Sequence, residues 1–484
     1  MKHFVYLILI SICFGLNAKD KLNILLFTAD DLHSESLGTY GGRPSDLTPQ
    51  LDKFASEGIQ FQRAHVNVAI CYPCRTVIGT GLYSHNSGGL GFMPTRPEIP
   101  NVIDLMKDGG YMTGILGKQD HSTPKPASKW DYAFDQKDLG DGRSPTLYKQ
   151  RSVDFFNKCK ETNKNFYFMV NSHDPHRPYC YPDNLRKGAE MPSKVYTAKD
   201  VSVPRFLPDL PGVRDEYAAY LNSTRRLDDT FGAVMEALDD SGLADNTLVI
   251  FMSDNGIAMP FAKCNTWFYS SRTPLLVRWP KVIEANRKDG KHFVSTIDLL
   301  PTFLELTGVK GPAKLDGRSL VPLFKLEEQD GRDFVYTQID KKAGSAAVPM
   351  RAVQNKKFGY IYNAFKQEER YRNNNEGLTM KAMEKAAKKD EQIAARIDLF
   401  RHRPSEEFYD IENDPNCLVN LIDNPEYKVE IEKFKKKLTM NMKTTNDPML
   451  KAFENRNDRA IVDQVIASTY GNATKVKKSK KRKK

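Results

Sequence analysis

Short apolar runs recur along the chain, and each stops at a polar cluster. Asn23-Ile24-Leu25-Leu26-Phe27-Thr28 reads as a strand buried on both faces, ending at Ala29-Asp30-Asp31. Met112–Leu116 runs into Gly117-Lys118, 166–170 into Asn171-Ser172-His173, and 246–252 into Ser253-Asp254-Asn255-Gly256. Residues 275–279 form a further strand. Residues 61–69 read as another, leading to Cys71 and a Gly-rich segment over 79–91. A helix is expected over 48–58, with Thr48 as its cap, Pro49 in its first turn and Leu51, Phe54 and Ala55 on one face. Residues 215–241 also have helical periodicity. This alternation predicts an α/β fold whose polar motifs lie just beyond strand ends, the rim where open sheets bind ligands.

After residue 324 the pattern changes. Residues 348–363 read as paired short strands with a turn at Asn355-Lys356-Lys357. Residues 366–403 form a charged helical stretch, Glu407-Phe408-Tyr409-Asp410 is strand-like, and Lys428–Thr444 is helical. A smaller C-terminal α+β domain is therefore expected. The divisions are a leader over 1–18, a large α/β domain over 19–335, the smaller domain over 336–460, and a basic tail over 461–484 expected to be disordered. No internal repeat is evident.

Composition sharpens this picture. The chain has 484 residues, 40% hydrophobic and 27% charged, which suits a large globular core and excludes a disordered or fibrous whole. Lys2 and His3 precede an apolar run from Phe4 to Phe14, and Ala18 precedes Lys19 and Asp20. This is the form of a secretory signal peptide; the run is too short to span a bilayer, and no later stretch is long enough. An uncleaved anchor is the alternative. The net charge of +11 is mostly local, because eight cations sit in the last ten residues. That tail is either a solubilising end or a tether to an anionic polymer, with nucleic acid the poorest partner for a secreted protein. Seven cysteines, six after the leader, are too few for a disulfide scaffold. A bridge between Cys180 and Cys264 is one pairing to test.

Asp30, Asp31, Asp254 and Asn255 share the same placement at strand ends. Oxygen-only ligands suit Ca²⁺ or Mg²⁺ rather than zinc. A single Asp-Asp pair would serve equally as a helix cap or loop ion pair; two such clusters favour a metal. Cys71-Tyr72-Pro73-Cys74-Arg75 begins a predicted helix, which places Cys71 at the end that attracts negative charge and Arg75 one turn on. An ordinary buried Cys with a surface Arg is the alternative. No second Cys/His pair at ligand spacing supports a zinc knuckle.

Cys-x-Pro-x-Arg after an Asp-Asp strand resembles the signature of the type I, formylglycine-dependent sulfatases. Further landmarks follow in order: Gly117-Lys118, His173-Asp174-Pro175-His176, Ser253-Asp254-Asn255-Gly256 and Lys263. The resemblance covers residues 21–448. It is most similar to the N-sulfoglucosamine sulfohydrolase (heparan N-sulfatase) group over 172–177, 350–354 and 409–421.

The resemblance implies an alkaline-phosphatase-like sheet sandwiched by helices. It implies one Ca²⁺ ion held by Asp30, Asp31, Asp254 and Asn255 together with residue 71, which a maturation enzyme converts from Cys to formylglycine. The hydrated aldehyde would attack sulfur. Arg75, Lys118, His173 and Lys263 would surround the sulfate, with His173 or Lys263 protonating the leaving group and His121 acting as the base that restores the aldehyde. His121 departs from the family spacing, because Gly117-Lys118-Gln119-Asp120-His121 is one residue longer than the usual Lys-x-His. His176 and Arg351 are the candidate substrate contacts. His65, His85, His292 and His402 read more simply as structural or solvated, whereas His33, two residues past Asp31, reads equally as a substrate contact or a solvated loop residue.

The implied substrate is a sulfated polysaccharide or oligosaccharide, heparan-type or algal of the ulvan type, cut at an O-sulfate or N-sulfate by a secreted or periplasmic enzyme. A phosphate- or phosphonate-ester hydrolase on the same scaffold is the alternative, and a non-catalytic glycan-binding relative a third reading.

Overall fold

The computed structural model describes residues 21–343, 347–365 and 376–471. The expected leader and the lysine-rich end of the chain lie outside these residues.

An eight-stranded mixed sheet organises the first part of the chain. In spatial order its strands are Tyr132–Phe134, Met112–Leu116, Phe166–Asn171, Asn23–Ala29, Thr247–Ser253, Leu275–Arg278, Ile59–Phe61 and Arg287–Asp289. The first five are mutually parallel, and Leu275–Arg278 runs antiparallel to both of its neighbours. Period-two alternation divides the central strands between two cores. Ile24 and Leu26 pack with Tyr167, Met169 and Ile250 against Cys74, Ile78, Val102, Met106 and Phe303 of one helical layer. Leu25 and Phe27 pack with Phe168 and Phe251 against Phe155, Leu227, Phe231 and Val234 of the opposite layer. Continuous apolar strands with helices on both faces are the arrangement expected from the sequence.

The second sheet is four-stranded and antiparallel, in the order Val335–Lys341, Ala347–Gln354, Phe358–Asn363, Glu406–Asp410. One face, with Val353, Tyr360, Tyr362 and Phe408, packs on Phe434, Leu438 and Met442 of the helix Lys428–Thr444. The other face, with Ala352, Ile361 and Tyr409, packs on Tyr220, Met259 and Trp267, so the smaller sheet is docked directly onto loops of the larger one.

Three expectations change. The run 61–69 is not one strand: a turn at Gln62-Arg63 separates Ile59–Phe61 from Ala64–His65. Val68 and Ile70 are buried because this segment crosses under the site, where the Ala69 carbonyl accepts from Cys264 N rather than from a neighbouring strand. The tail begins later than expected. Residues 461–470 belong to the helix Arg459–Tyr470, capped by Asp458, and bury Val462, Val465 and Tyr470 against the second sheet. Of the charged stretch 366–403, the described part is two helices, Gly377–Ala386 and Glu391–Arg401, the second capped by Asp390. Cys180 and Cys264 are not bridged to each other; Cys180 Sγ instead lies 3.5 Å from the Arg226 guanidinium.

Candidate active site

Four adjacent strands deliver the site. Asn23–Ala29 and Thr247–Ser253 are parallel and in register at Ala29 and Ser253, so Asp30 and Asp254 leave the sheet side by side. The pairing continues past the strands: Asp254 N donates to Ala29 O at 3.2 Å, and Asp31 N donates to Asp254 Oδ1 at 3.2 Å. Asp31 sits at φ +70°, a conformation costly for a residue with a Cβ, and the turn aims its carboxylate back at the cluster. On the other side Met112–Leu116 ends at Gly117 (φ +67°) and Lys118 (φ +53°). A Cβ on Gly117 would lie 2.3 Å from Asn171 O, so only glycine permits this turn.

The helix Cys71–Thr80 starts at Cys71 with Pro73 in its first turn, as the sequence predicts. One turn on, Arg75 is buried and fully committed. Its Nε and Nη2 lie 3.0 and 2.8 Å from Asp254 Oδ2, and its Nη1 donates to Thr28 Oγ1 at 2.7 Å and to Asn171 Oδ1. Lys118 pairs with Asp30, and Lys263 pairs with Asp31 while its Nζ lies 3.7 Å from Cys71 Sγ. Asn255 Nδ2 donates to Asp31 Oδ1 at 2.7 Å.

One ligand atom each from Asp30, Cys71 and Asp254 lie within 4.8 Å of one another, and the same holds for Asp30, Asp31 and His176. Asp30 Oδ1, Asp31 Oδ2 and Asn255 Oδ1 are buried without a hydrogen-bond partner. Unsatisfied buried oxygens are costly. The unpartnered oxygens of Asp30, Asp31 and Asn255, with Asp254 beside them, fit a hard divalent cation.

Electrostatics follow from this crowding. Burial opposes charge on Asp30, but Lys118, His176, Lys263 and Arg75 outweigh it and hold the carboxyl well below its usual range. Burial and the charge of Asp30 push Asp254 up to about 7 despite Arg75. Burial would lower Lys263, yet Asp31, Cys71, Asp30 and Asp254 keep its ammonium well above the ordinary lysine value. Burial, reinforced by Asp30, raises the Cys71 thiol even against Lys263 and Lys118.

The histidines differ in placement. His173 is buried, and burial together with Lys118 holds it well below 6.5, so its imidazole is neutral. Gly142, at φ +72°, lies against it; a Cβ there would meet His173 Nδ1 at 2.0 Å. His176 Nε2 is 3.8 Å from Asp31 Oδ2, and burial lowers its pKa too. The extra residue before His121 is taken up in a 3-10 turn, Asp120–Ser122. Burial, then Lys118, lowers His121 to about 3, and its ring rests against Tyr72 and Phe92.

Arg351 is not placed as expected. It is 3% exposed, and its guanidinium is consumed by Asp340 (2.8 Å) and Asp447 (2.5 Å), which leaves no donor face for a sugar. Sequence reasoning also missed residues that hold the site together. Asn171 and Thr28 fix the far side of Arg75. Asp174 accepts a bidentate pair from Arg226 (2.7 and 3.0 Å), and its carbonyl accepts from Asp30 N. The signal for Asn171 was present, a polar residue closing a buried strand, as with Asp30.

A sequence model of the sulfatase family matches residues 22–309, and a model of the N-sulphoglucosamine sulphohydrolase C-terminal region matches residues 260–401. The chain is 30% identical to human N-sulphoglucosamine sulphohydrolase over 373 residues, 70% of this chain and 73% of that protein. It is 28% identical to an ulvan-active sulfatase of Formosa agariphila over 436 residues, 88% of this chain and 81% of that protein. The phosphonate monoester hydrolase of Agrobacterium radiobacter superposes with a TM-score of 0.62 at 18% identity, over 88% of this chain and 96% of that one. The fold is thus the alkaline-phosphatase-like sandwich expected from the sequence.

Proposed function

This chain belongs to the sulfatase family of sulfuric ester hydrolases, and we propose that it removes O-sulfate or N-sulfate groups from a sulfated polysaccharide or oligosaccharide. The observation that carries this reading is that Asp30, Asp254 and residue 71 bring ligand atoms within 4.8 Å of one another, with Asp31 and Asn255 hydrogen-bonded alongside and Arg75, Lys118 and Lys263 paired to the aspartates. The names of the two sequence relatives support a carbohydrate substrate, from a glucosamine N-sulfate to ulvan.

The oxygen cluster is assigned to one Ca²⁺, which when bound supplies a fixed positive charge for the sulfate oxygens and for a hydroxyl on residue 71. Residue 71 is assigned as formylglycine made by a maturation enzyme, which supplies a hydrated aldehyde as nucleophile. The Cys71-Tyr72-Pro73-Cys74-Arg75 run at the start of the helix Cys71–Thr80 supports this.

The chain's other groups divide the remaining work. Arg75 is locked by Asp254, Thr28 and Asn171, so it presents its charge without reorganising. Lys118 and Lys263 neutralise the aspartates and, once these face a cation, are available to sulfate oxygens. Lys263 Nζ remains protonated beside position 71 and donates a proton to the departing oxygen or nitrogen. His173 stays neutral and contributes an N–H hydrogen bond rather than a full charge. His121, on the turn that follows Lys118, is assigned to accept the second hydroxyl proton of residue 71. His176, half-buried beside Asp31, is assigned to contact substrate.

The leader-like residues 1–18 support secretion or periplasmic residence, and no helix among the described residues is long and apolar enough to cross a membrane. We divide the mature chain into a catalytic unit over 19–335 and a smaller unit from 336 that ends with the helix Arg459–Tyr470.

The test is a turnover panel of 4-nitrophenyl sulfate, 4-nitrophenyl phosphate, a phenyl phosphonate, glucosamine N-sulfate, glucosamine 6-O-sulfate and ulvan oligosaccharides. Sulfated saccharides should be the best substrates. Preferred turnover of the phosphonate or phosphate would contradict the reading.

A further inference from the structure

The helix that begins at residue 71 carries Tyr72 one position on, half-exposed beside the reacting centre. Three rings meet there. Tyr72 lies 5.8 Å from Phe92 and 5.7 Å from His121, and Phe92 lies 5.5 Å from His121 at an interplanar angle of 84°. Tyr72 and Phe92 are tilted at 39° to each other and each meets His121 edge-to-face, contacts that hold rings in fixed orientation. Phe92 remains 41% exposed and its neighbour Met93 38% exposed.

The segment that presents them is itself pinned. Leu90 O accepts from Lys341 N at 2.9 Å, Met93 N donates to Gly91 O at 2.8 Å, and a Cβ on Gly91 would lie 2.9 Å from Lys341 Cβ. An exposed Phe and Met on a rigid segment, at the edge of a site crowded with charge, call for a ligand.

The wall has two unlike ends. Its inner end, His121, lies on the turn that follows Lys118 and within electrostatic reach of Asp30, Arg75 and Lys263. Its outer end, Phe92 and Met93, meets solvent. The rings thus lie between the cations and solvent on this side of the site. Aromatic faces are weakly negative, and a pyranose presents a patch of weakly positive C–H bonds on one face.

We infer that Tyr72, Phe92 and His121 form a stacking wall that seats the sugar ring bearing the scissile sulfate. The inference rests on the proposed function and specifies it: the substrate unit is a cyclic sulfated sugar, recognised by its apolar face as well as by its sulfate.

Binding to the full chain carrying Cys71→Ala, which stops turnover, tests the wall directly. The probes are glucosamine N-sulfate, a heparan-derived sulfated disaccharide, an ulvan oligosaccharide and inorganic sulfate, measured by calorimetry. Adding Phe92→Ala should weaken the tightest saccharide about tenfold while leaving inorganic sulfate unchanged, and Phe92→Trp should restore the saccharide. Phe92 is exposed, so these changes leave the core intact. Unchanged saccharide affinity in Phe92→Ala, an equal loss for inorganic sulfate, or no saccharide binding at all would overturn the wall. Failure of the function reading shows separately: wild-type protein from a host with the maturation enzyme would turn over no sulfate, even with the Phe92-dependent affinity intact.

Discussion

Arg75 is held at three of its nitrogens by buried partners, Asp254, Thr28 and Asn171, and none of these contacts is solvent-exposed. Lysine cannot reproduce this planar fork. Arg75→Lys should lower kcat on a sulfated saccharide about 10²–10³-fold with the fold retained, as measured by steady-state kinetics and circular dichroism. His65 illustrates a histidine outside the chemistry. It is buried between Phe268 and Phe293 with Nδ1 3.0 Å from Ser271 Oγ, and burial lowers its pKa to about 3. The unfolded chain protonates this residue near its ordinary value of about 6.5, whereas the folded chain does not until far lower pH. Stability should therefore fall on acidification from about pH 6.5 toward 3, by up to about 1.4 kcal/mol per pH unit from this group. Urea midpoints at pH 7 and 5 should show a shallower pH dependence in His65→Gln. Legibility at this scale followed placement. Asp30, Asp31, Cys71 and Asp254 follow apolar runs in the sequence, and the structure brings them close together. Arg351 was misread because its partner Asp447 lies 96 residues away, a distance over which sequence carries no signal.

Among the elements, the segment between Gly256 and Trp267 matters most, because it carries Lys263. Phe261 and Cys264 both sit at positive φ, +68° and +66°, conformations that persist only when surroundings impose them. The second sheet supplies that constraint. Trp267 Nε1 donates to Glu407 Oε2 at 2.8 Å, Arg403 donates to Asn265 Oδ1, and the Arg403 guanidinium lies 3.7 Å over the Trp267 ring. Loosening this clamp should disturb the proposed proton donation by Lys263 more than sulfate binding. Glu407→Gln should lower kcat about tenfold on a sugar sulfate but less on 4-nitrophenyl sulfate, whose leaving group needs no proton. Equal losses on both substrates would mean that the clamp is only structural. Some element boundaries were legible from the pattern of apolar and polar residues. Lys428–Thr444 matches at both ends, and Met112–Leu116 does as well. The run 61–69 failed because burial alone does not distinguish a strand from a chain crossing the core.

At the scale of the whole molecule, one mixed sheet between two helical layers sets the site. The strand Asn23–Ala29 contributes to both cores and ends at the proposed metal ligands, so stability and function share one element. Phe27 packs edge-on against Phe231 and beside Phe251. Phe27→Ala should destabilise the protein by about 3–5 kcal/mol in urea unfolding. A chelator should abolish turnover and lower the thermal midpoint, and added Ca²⁺ should restore both, because an ion bound only by the folded state stabilises it. The general α/β plan and the second sheet were legible from alternating patterns. How the second sheet docks onto the loops of the first was not, because that contact joins residues far apart in the chain. The most direct measurement is peptide mass spectrometry across residue 71 in catalytically active protein. An aldehyde or its hydrate in place of the thiol is the predicted result; full activity with an intact cysteine at position 71 would contradict it.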